Sequence, residues 1–205
     1  MTTTQAGGRP TPAHADLLCA FANTIDVDED TDVIIDPPAL TTWLRDKGLV
    51  DEHAHASAAD LALATGLRTG IRRAMTAHHD RDPDASLTGL DEITAQLPLR
   101  MTFEGTRPSL VPAAPADDAA RGLGWLLVAV ASAQADDSWG RLKICAADDC
   151  AWAFYDTSKN RSRHWCSMGV CGNRQKTRAY RARQRSKGDP EARGDGEARG
   201  DGEAG

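Results

Sequence analysis

Apolar positions recur through residues 14–136 at the spacing of amphipathic helices. Leu17, Leu18 and Phe21 share one face of a first helix over Ala15 to Asn23. Pro37-Pro38 opens a second, carried by Leu40, Trp43 and Leu44 and ended by Gly48, because proline suits a first turn whose amides lack partners. Leu61, Leu63, Leu67, Ile71 and Met75 mark a third over Ala56 to His78, although Gly66 and Gly70 each cost up to about 1 kcal/mol relative to alanine. Ser86 to Ala95 reads as a short fourth. Leu99 to Phe103 then alternates apolar and polar before the turn residues Gly105 to Pro108, which predicts a hairpin over 98–112. Residues 117–137 leave almost no polar side (Leu123, Trp125, Leu126, Leu127, Val128, Val130), so this helix is expected to be buried among the others, in a core of their own.

The pattern changes after residue 139. Trp152, Phe154 and Trp165 flank a polar centre, Asp156 to Asn160, which predicts a β-hairpin between them. From Cys171 to Lys187 no apolar stripe exists. As a helix, this stretch groups Arg174, Arg178, Arg181 and Arg185 on one side and Lys176, Tyr180, Arg183 and Lys187 on the other. It has nothing to pack along a core, so its expected partner is a polyanion.

Charge divides the chain at the same place. Residues 1–139 carry a net −11, residues 140–188 a net +9 and residues 189–205 a net −4, within a total of −6. An acidic front and a basic back point to a polyanion as the partner of the back. The last stretch repeats Glu-Ala-Arg-Gly-Asp-Gly and lacks any large apolar residue, so it is expected to be disordered. Residues 1–16 hold no apolar core of a secretory signal, and the longest apolar run, Leu123 to Ala133, is far short of the ~20 residues of a membrane span. The chain is therefore expected to be cytoplasmic, with no membrane partner.

Four of the five cysteines form two pairs, Cys145/Cys150 and Cys166/Cys171, each enclosing four residues and separated by fifteen. Short gaps joined by a spacer of ~12–20 residues fit a tetrahedral all-sulfur site for one structural Zn2+. Two disulfides are the alternative, but they belong mostly to oxidising compartments. Four bound thiolates would lower the charge of the basic segment to about +7. His164 lies near enough to replace a sulfur, which four regular cysteines make unnecessary. Cys19 reads as a small core residue. The acidic loop Asp26 to Asp36 lacks the glycine and terminal glutamate of a calcium loop and reads as solvated. His53/His55 and His78/His79 read as surface histidines. No phosphate-binding glycine loop or nucleophile elbow appears. A zinc closed in by four thiolates has no open position, so an enzyme is not expected.

The run Cys171-Gly172-Asn173-Arg174, with Trp165-Cys166-Ser167-Met168, Phe154-Tyr155-Asp156 and Arg178-Ala179-Tyr180-Arg181, resembles the CGNR zinc finger. Phe21-Ala22-Asn23-Thr24, Leu40-x-x-Trp43-Leu44 and Leu67-Arg68 resemble the ABATE domain that precedes this finger in bacterial proteins. The resemblance implies a family of stress-related transcription regulators with a mainly α-helical front and zinc on Cys145, Cys150, Cys166 and Cys171. His164 departs from it, since the family often has arginine there, and this removes one possible phosphate contact.

The expected fold is thus mainly α: a helical domain with a small β-hairpin over 14–138, then a treble-clef-like four-cysteine zinc finger (knuckle, β-hairpin, basic helix) over 139–187. Residues 1–13 and 188–205 are expected to be disordered ends. The expected function is a DNA-binding transcription regulator, with Arg174, Lys176, Arg178, Arg181 and Arg183 on the nucleic acid and the acidic front receiving a small-molecule or protein signal. RNA binding, through Tyr180, Trp165 and Tyr155 stacked on unpaired bases, is the first alternative. A protein-interaction module whose basic helix docks on the acidic front is the second.

Overall fold

A computed structural model describes residues 10–82, 84–116 and 118–187. Of the expected disordered ends, 1–13 and 188–205, residues 1–9 and 188–205 lie outside them, whereas Ala13 already belongs to the first helix. Helix α1 (Ala13–Ala22) turns Ala15, Leu18, Phe21 and Ala22 inward. Two short antiparallel strands, β1 (Ile25–Asp26) and β2 (Thr31–Asp32), follow it. Helix α2 (Pro37–Asp46) starts where the Asp36 carboxylate accepts from the Ala39 amide at 2.8 Å, so this acidic residue is a cap. Helix α3 (Ala58–Asp80) opens on a reciprocal capping box of Ser57 and Asp60 and closes on Arg81 in the left-handed region.

The glycines of α3 have a packing reason. A Cβ on Gly66 would lie 2.6 Å from Ile93 Cδ1, and one on Gly70 would lie 2.5 Å from Leu90 Cδ1. Both contacts come from α4 (Leu90–Thr94), which is shorter than the sequence suggests. The hairpin of β3 (Leu99–Glu104) and β4 (Arg107–Pro112) runs in register from Leu99 opposite Pro112 to Glu104 opposite Arg107. Helix α5 (Ala119–Ala135) is capped by Asp118 and buries Leu123 and Leu126 completely.

A turn of 3₁₀ helix at Trp139–Arg141 leads into β5 (Leu142–Ile144), which pairs antiparallel with β6 (Ala153–Tyr155). This corrects the expected hairpin within residues 152–165. The strand opposite Phe154 precedes the first cysteine pair, so that pair is the hairpin's loop. Among the described residues, 156–165 form no strand. Leu142, Ile144, Ala153 and Tyr155 join one apolar core with Leu18, Phe21, Leu44, Leu67, Ile71, Met75, Leu123 and Leu126. The cysteine-bearing segment is thus packed into the core of the helices. A π-helical turn, Met168–Gly172, then opens directly into α6 (Asn173–Lys187). The mainly helical architecture with small antiparallel hairpins holds as expected.

Buried charges tie these parts together. Arg68 donates both guanidinium nitrogens to Asp32, each at 2.7 Å, and one of them also to Thr24 Oγ1 at 2.9 Å. Asp32 therefore belongs to a structural ion pair, which corrects the reading of the whole 26–36 loop as solvated. The Arg68 guanidinium, first as hydrogen-bond donor and then as charge, outweighs burial and holds the Asp32 carboxyl below its ordinary pKa.

Candidate metal centre and nucleic-acid interface

The hairpin carries the first cysteine pair at its tip. Cys145 donates its amide to the Trp152 carbonyl at 2.9 Å, and the Cys150 and Ala151 amides both return to the Ala147 carbonyl. Ala151 closes this tight loop with φ 47°. Of the second pair, Cys166 precedes the π-helical turn and Cys171 lies within it, and the Ser167 hydroxyl at its start accepts from the Val170 amide at 3.3 Å. The two loops are joined by the Ala146 amide donating to the His164 carbonyl at 2.9 Å.

These two loops bring Cys145, Cys150, Cys166 and Cys171 together, with all four sulfurs within 4.8 Å of one another. Cys150 and Cys166 are 3.7 Å apart, and Cys166 and Cys171 are 3.6 Å apart. A tetrahedron of zinc–sulfur bonds of ~2.3 Å separates its sulfurs by ~3.8 Å, so the cluster has the size of one such site. All five cysteines are free thiols. Burial pushes the Cys150 thiol up to about 11, and burial together with the neighbouring thiols pushes Cys166 further. At Cys145 burial also raises the pKa, but the Ala147 and Cys166 amides and the adjacent thiols outweigh it and bring it below the ordinary value. Crowded thiols that resist ionising together are the arrangement a divalent cation relieves. The four cysteines form a cluster that can bind one zinc ion. Phe154 and Ala147 cover it, with Trp165 partly buried beside them.

A second polar centre, which no sequence motif signals, holds the finger loop. The Lys143 ammonium donates to Asp156 at 2.8 Å and to the carbonyls of Arg161 and Arg163 at 2.6 and 3.3 Å. Asp156 is fully buried and also accepts from the Ser158 amide and hydroxyl and from the Arg163 amide. Burial pushes the Asp156 pKa up, but the Lys143, Ser158 and Arg163 donors outweigh it and hold it below the ordinary carboxylate value. Arg163 also lies over the Phe154 ring at 5.1 Å and donates to the Cys166 carbonyl. Asp156 at the start of the expected hairpin centre, with the carbonyls of Arg161 and Arg163 beyond it, wraps this ammonium.

Each residue of the Cys-Gly-Asn-Arg run has a distinct place. Cys171 belongs to the sulfur cluster, and Gly172 packs under Met168, whose sulfur would lie 2.5 Å from an added Cβ. The Asn173 side-chain Nδ2 donates to the Gly169 carbonyl at 3.1 Å and braces the π-helical turn. Arg174 and Arg178, one helical turn apart, both donate to Asp149, at 2.6 and 2.8 Å. Asp149 as hydrogen-bond partner and charge raises the Arg174 pKa further, with a smaller contribution from Asp28 at 3.8 Å.

The other predicted nucleic-acid residues, Lys176, Arg181 and Arg183, are exposed on α6. So is Tyr180, at 58%. Of the aromatic residues expected to stack on bases, Trp165 is partly buried at the cysteine cluster and Tyr155 is buried in the core. The histidines of α3 are not simple surface groups. His78 meets the Leu142 carbonyl at 3.0 Å and the Trp139 ring edge-on, and His79 meets His164. His164 is thereby an inter-element contact.

Comparison with known proteins adds two findings. Residues 15–138 match the ABATE family, described as "Putative stress-induced transcription regulator". Residues 141–184 match the CGNR zinc finger. No curated protein matches the chain. Both matches are of regulator or zinc-finger type. No helix among the described residues is long and apolar enough to cross a membrane.

Proposed function

The chain belongs to the ABATE family and carries a CGNR zinc finger, and from that premise we propose that it is a cytoplasmic, DNA-binding transcription regulator. In this reading residues 14–138 receive a signal and residues 139–187 contact DNA. Cys145, Cys150, Cys166 and Cys171 would hold one structural zinc. A bound zinc contributes folding energy and, closed in by four sulfurs, no catalysis. The protein is therefore read as a regulator and not an enzyme.

One observation carries the proposal. The last cysteine of the cluster lies in the turn that opens α6, a cationic helix without an apolar face. The cluster thus fixes the start of the helix, and Arg174, Lys176, Arg178, Arg181 and Arg183 project from it. These are phosphate-binding side chains more than base readers, so they supply affinity and register. Asp149 shares Arg174 and Arg178, which leaves an anionic phosphate to compete for them. With ~5 phosphate contacts, log affinity falls against log salt with a slope near −4 to −5.

The test is fluorescence anisotropy of labelled duplex DNA across a salt series, beside single-stranded RNA of equal length. Duplex binding with that slope supports the proposal. No binding at low salt, or affinity independent of salt, refutes it. RNA is the specific rival, because the exposed Tyr180 and Trp152 offer stacking faces for unpaired bases. Stronger binding to the single strand would favour it.

A further inference from the structure

One face of α3 borders a cavity of about 400 Å³ that neither family match assigns. Arg68, Thr69, Arg72, Arg73 and Thr76 line its helical wall, and Ile25, Asp82 and Ser86 close the other sides. The three arginines differ in what neutralises them. Arg68 is matched by the carboxylate of Asp32. Arg72 donates to two carbonyls, Ala22 and Ala151, each at 2.8 Å. These occupy two of its five N–H donors and bring no negative charge. Burial and the nearby Arg68 charge hold its pKa below the ordinary arginine value, as an unmatched cation requires. Arg73 is exposed and has no hydrogen-bond or ion-pair partner among the described residues.

Arg72 and Arg73, both without a carboxylate at ion-pair distance among the described residues, therefore line one concavity. Guanidinium groups favour carboxylate and phosphate oxygens, which their N–H forks match in geometry and charge. Asp80 and Asp82 line the same cavity and would repel a ligand charged negatively throughout. The size and charge layout fit a small molecule with a single anionic group and a neutral or cationic remainder.

We propose that this cavity binds a small molecule through one carboxylate or phosphate group held by Arg72 and Arg73. Given the regulatory function proposed above, it is the site at which the helical part receives its signal. Arg72 gives the site a route outward. The carbonyl it holds belongs to Ala151, which follows Cys150 in the first cysteine loop. An anion that draws on the Arg72 guanidinium competes with that carbonyl, so the cavity and the cysteine loop share one side chain.

The test uses the zinc-loaded full chain without DNA, so its result is independent of whether the protein binds DNA. Inorganic phosphate and acetate are titrated separately by calorimetry at constant ionic strength, with chloride as the balancing anion. Saturable binding of at least one, with Kd of about 1 mM or tighter, is expected. Phosphate alone identifies a phosphate group, and acetate alone a carboxylate. Arg73→Gln, which removes no internal contact, should weaken that binding about tenfold or more and leave the melting temperature unchanged. In a parallel NMR titration the amide signal of Trp152 should follow the same saturation curve. Saturation by neither anion overturns the proposal, as does an Arg73→Gln protein that binds like the wild type. A Trp152 signal that stays fixed at saturation overturns the link to the cysteine loop.

Discussion

Replacing Asp156 with alanine tests how the finger is held to its own first strand. The carboxylate is fully buried, and the Lys143 side chain it faces is 4% exposed. Asp156→Ala leaves that ammonium with two carbonyls and no counter-charge, and it orphans the amides of Ser158 and Arg163. Removing one partner of a buried pair costs about 3–5 kcal/mol, because the other charge stays uncompensated. At ~2–4 °C per kcal/mol for a chain of this size, the melting temperature should fall by roughly 6–20 °C. Urea denaturation with saturating zinc, followed by tryptophan fluorescence, measures the loss directly. Lys143→Met with Asp156→Asn removes both charges and should lose less than Asp156→Ala alone. A loss below about 1 kcal/mol for Asp156→Ala would refute the reasoning, since the pair would then be no better than a surface one.

The same carboxyl gives a signed pH dependence. Its folded pKa lies below the unfolded value of ~3.9, so the folded state binds this proton less readily. The stabilisation is complete above the unfolded value and is lost as pH falls through the folded one. Acid also protonates thiols and weakens metal binding in both proteins. The gap between wild type and Asp156→Ala isolates the carboxylate, and it should narrow as pH falls below ~4.

Other perturbations test other joints. Asp32→Ala strands the Arg68 guanidinium, whose side chain is 7% exposed, and should cost about 3 kcal/mol in the same denaturation assay. Gly124→Ala would place a Cβ 2.8 Å from Pro112 Cβ, where α5 crosses the rigid end of β4. It should destabilise by about 1–3 kcal/mol in calorimetric melting. Asp149→Asn removes the negative charge shared by Arg174 and Arg178. Exposed pairs are weak, so affinity for duplex DNA should rise by about a few-fold and no more in an anisotropy titration.

What the sequence made legible follows from the range of the interactions involved. The largely apolar α5, the 99–112 hairpin and the start of α6 next to Cys171 are specified by local pattern, and they form where expected. The size of the cysteine cluster was also accessible, because ligand spacing is a local constraint. The β5 strand was not. It is three residues long and carries Lys143 into the interior, which is tolerable only because Asp156 arrives from thirteen residues away. Periodicity cannot reveal such a conditional burial, and it pairs the aromatic residues around Asp156 with each other. Asp32 was hidden in the same way among five other acidic residues. Gly66 and Gly70 looked like weak points of α3 because their reason, the side chains of Ile93 and Leu90, lies in α4.

If the four-sulfur cluster fixes the start of a DNA-binding helix, DNA binding depends on the metal. Anisotropy with labelled duplex DNA at low salt, comparing the zinc-loaded full chain with the same preparation stripped by chelator, tests it most directly. The account predicts that the loaded protein binds, that the stripped protein does not, and that added Zn2+ restores binding. A chain verified as metal-free by mass spectrometry that binds DNA with undiminished affinity would contradict it.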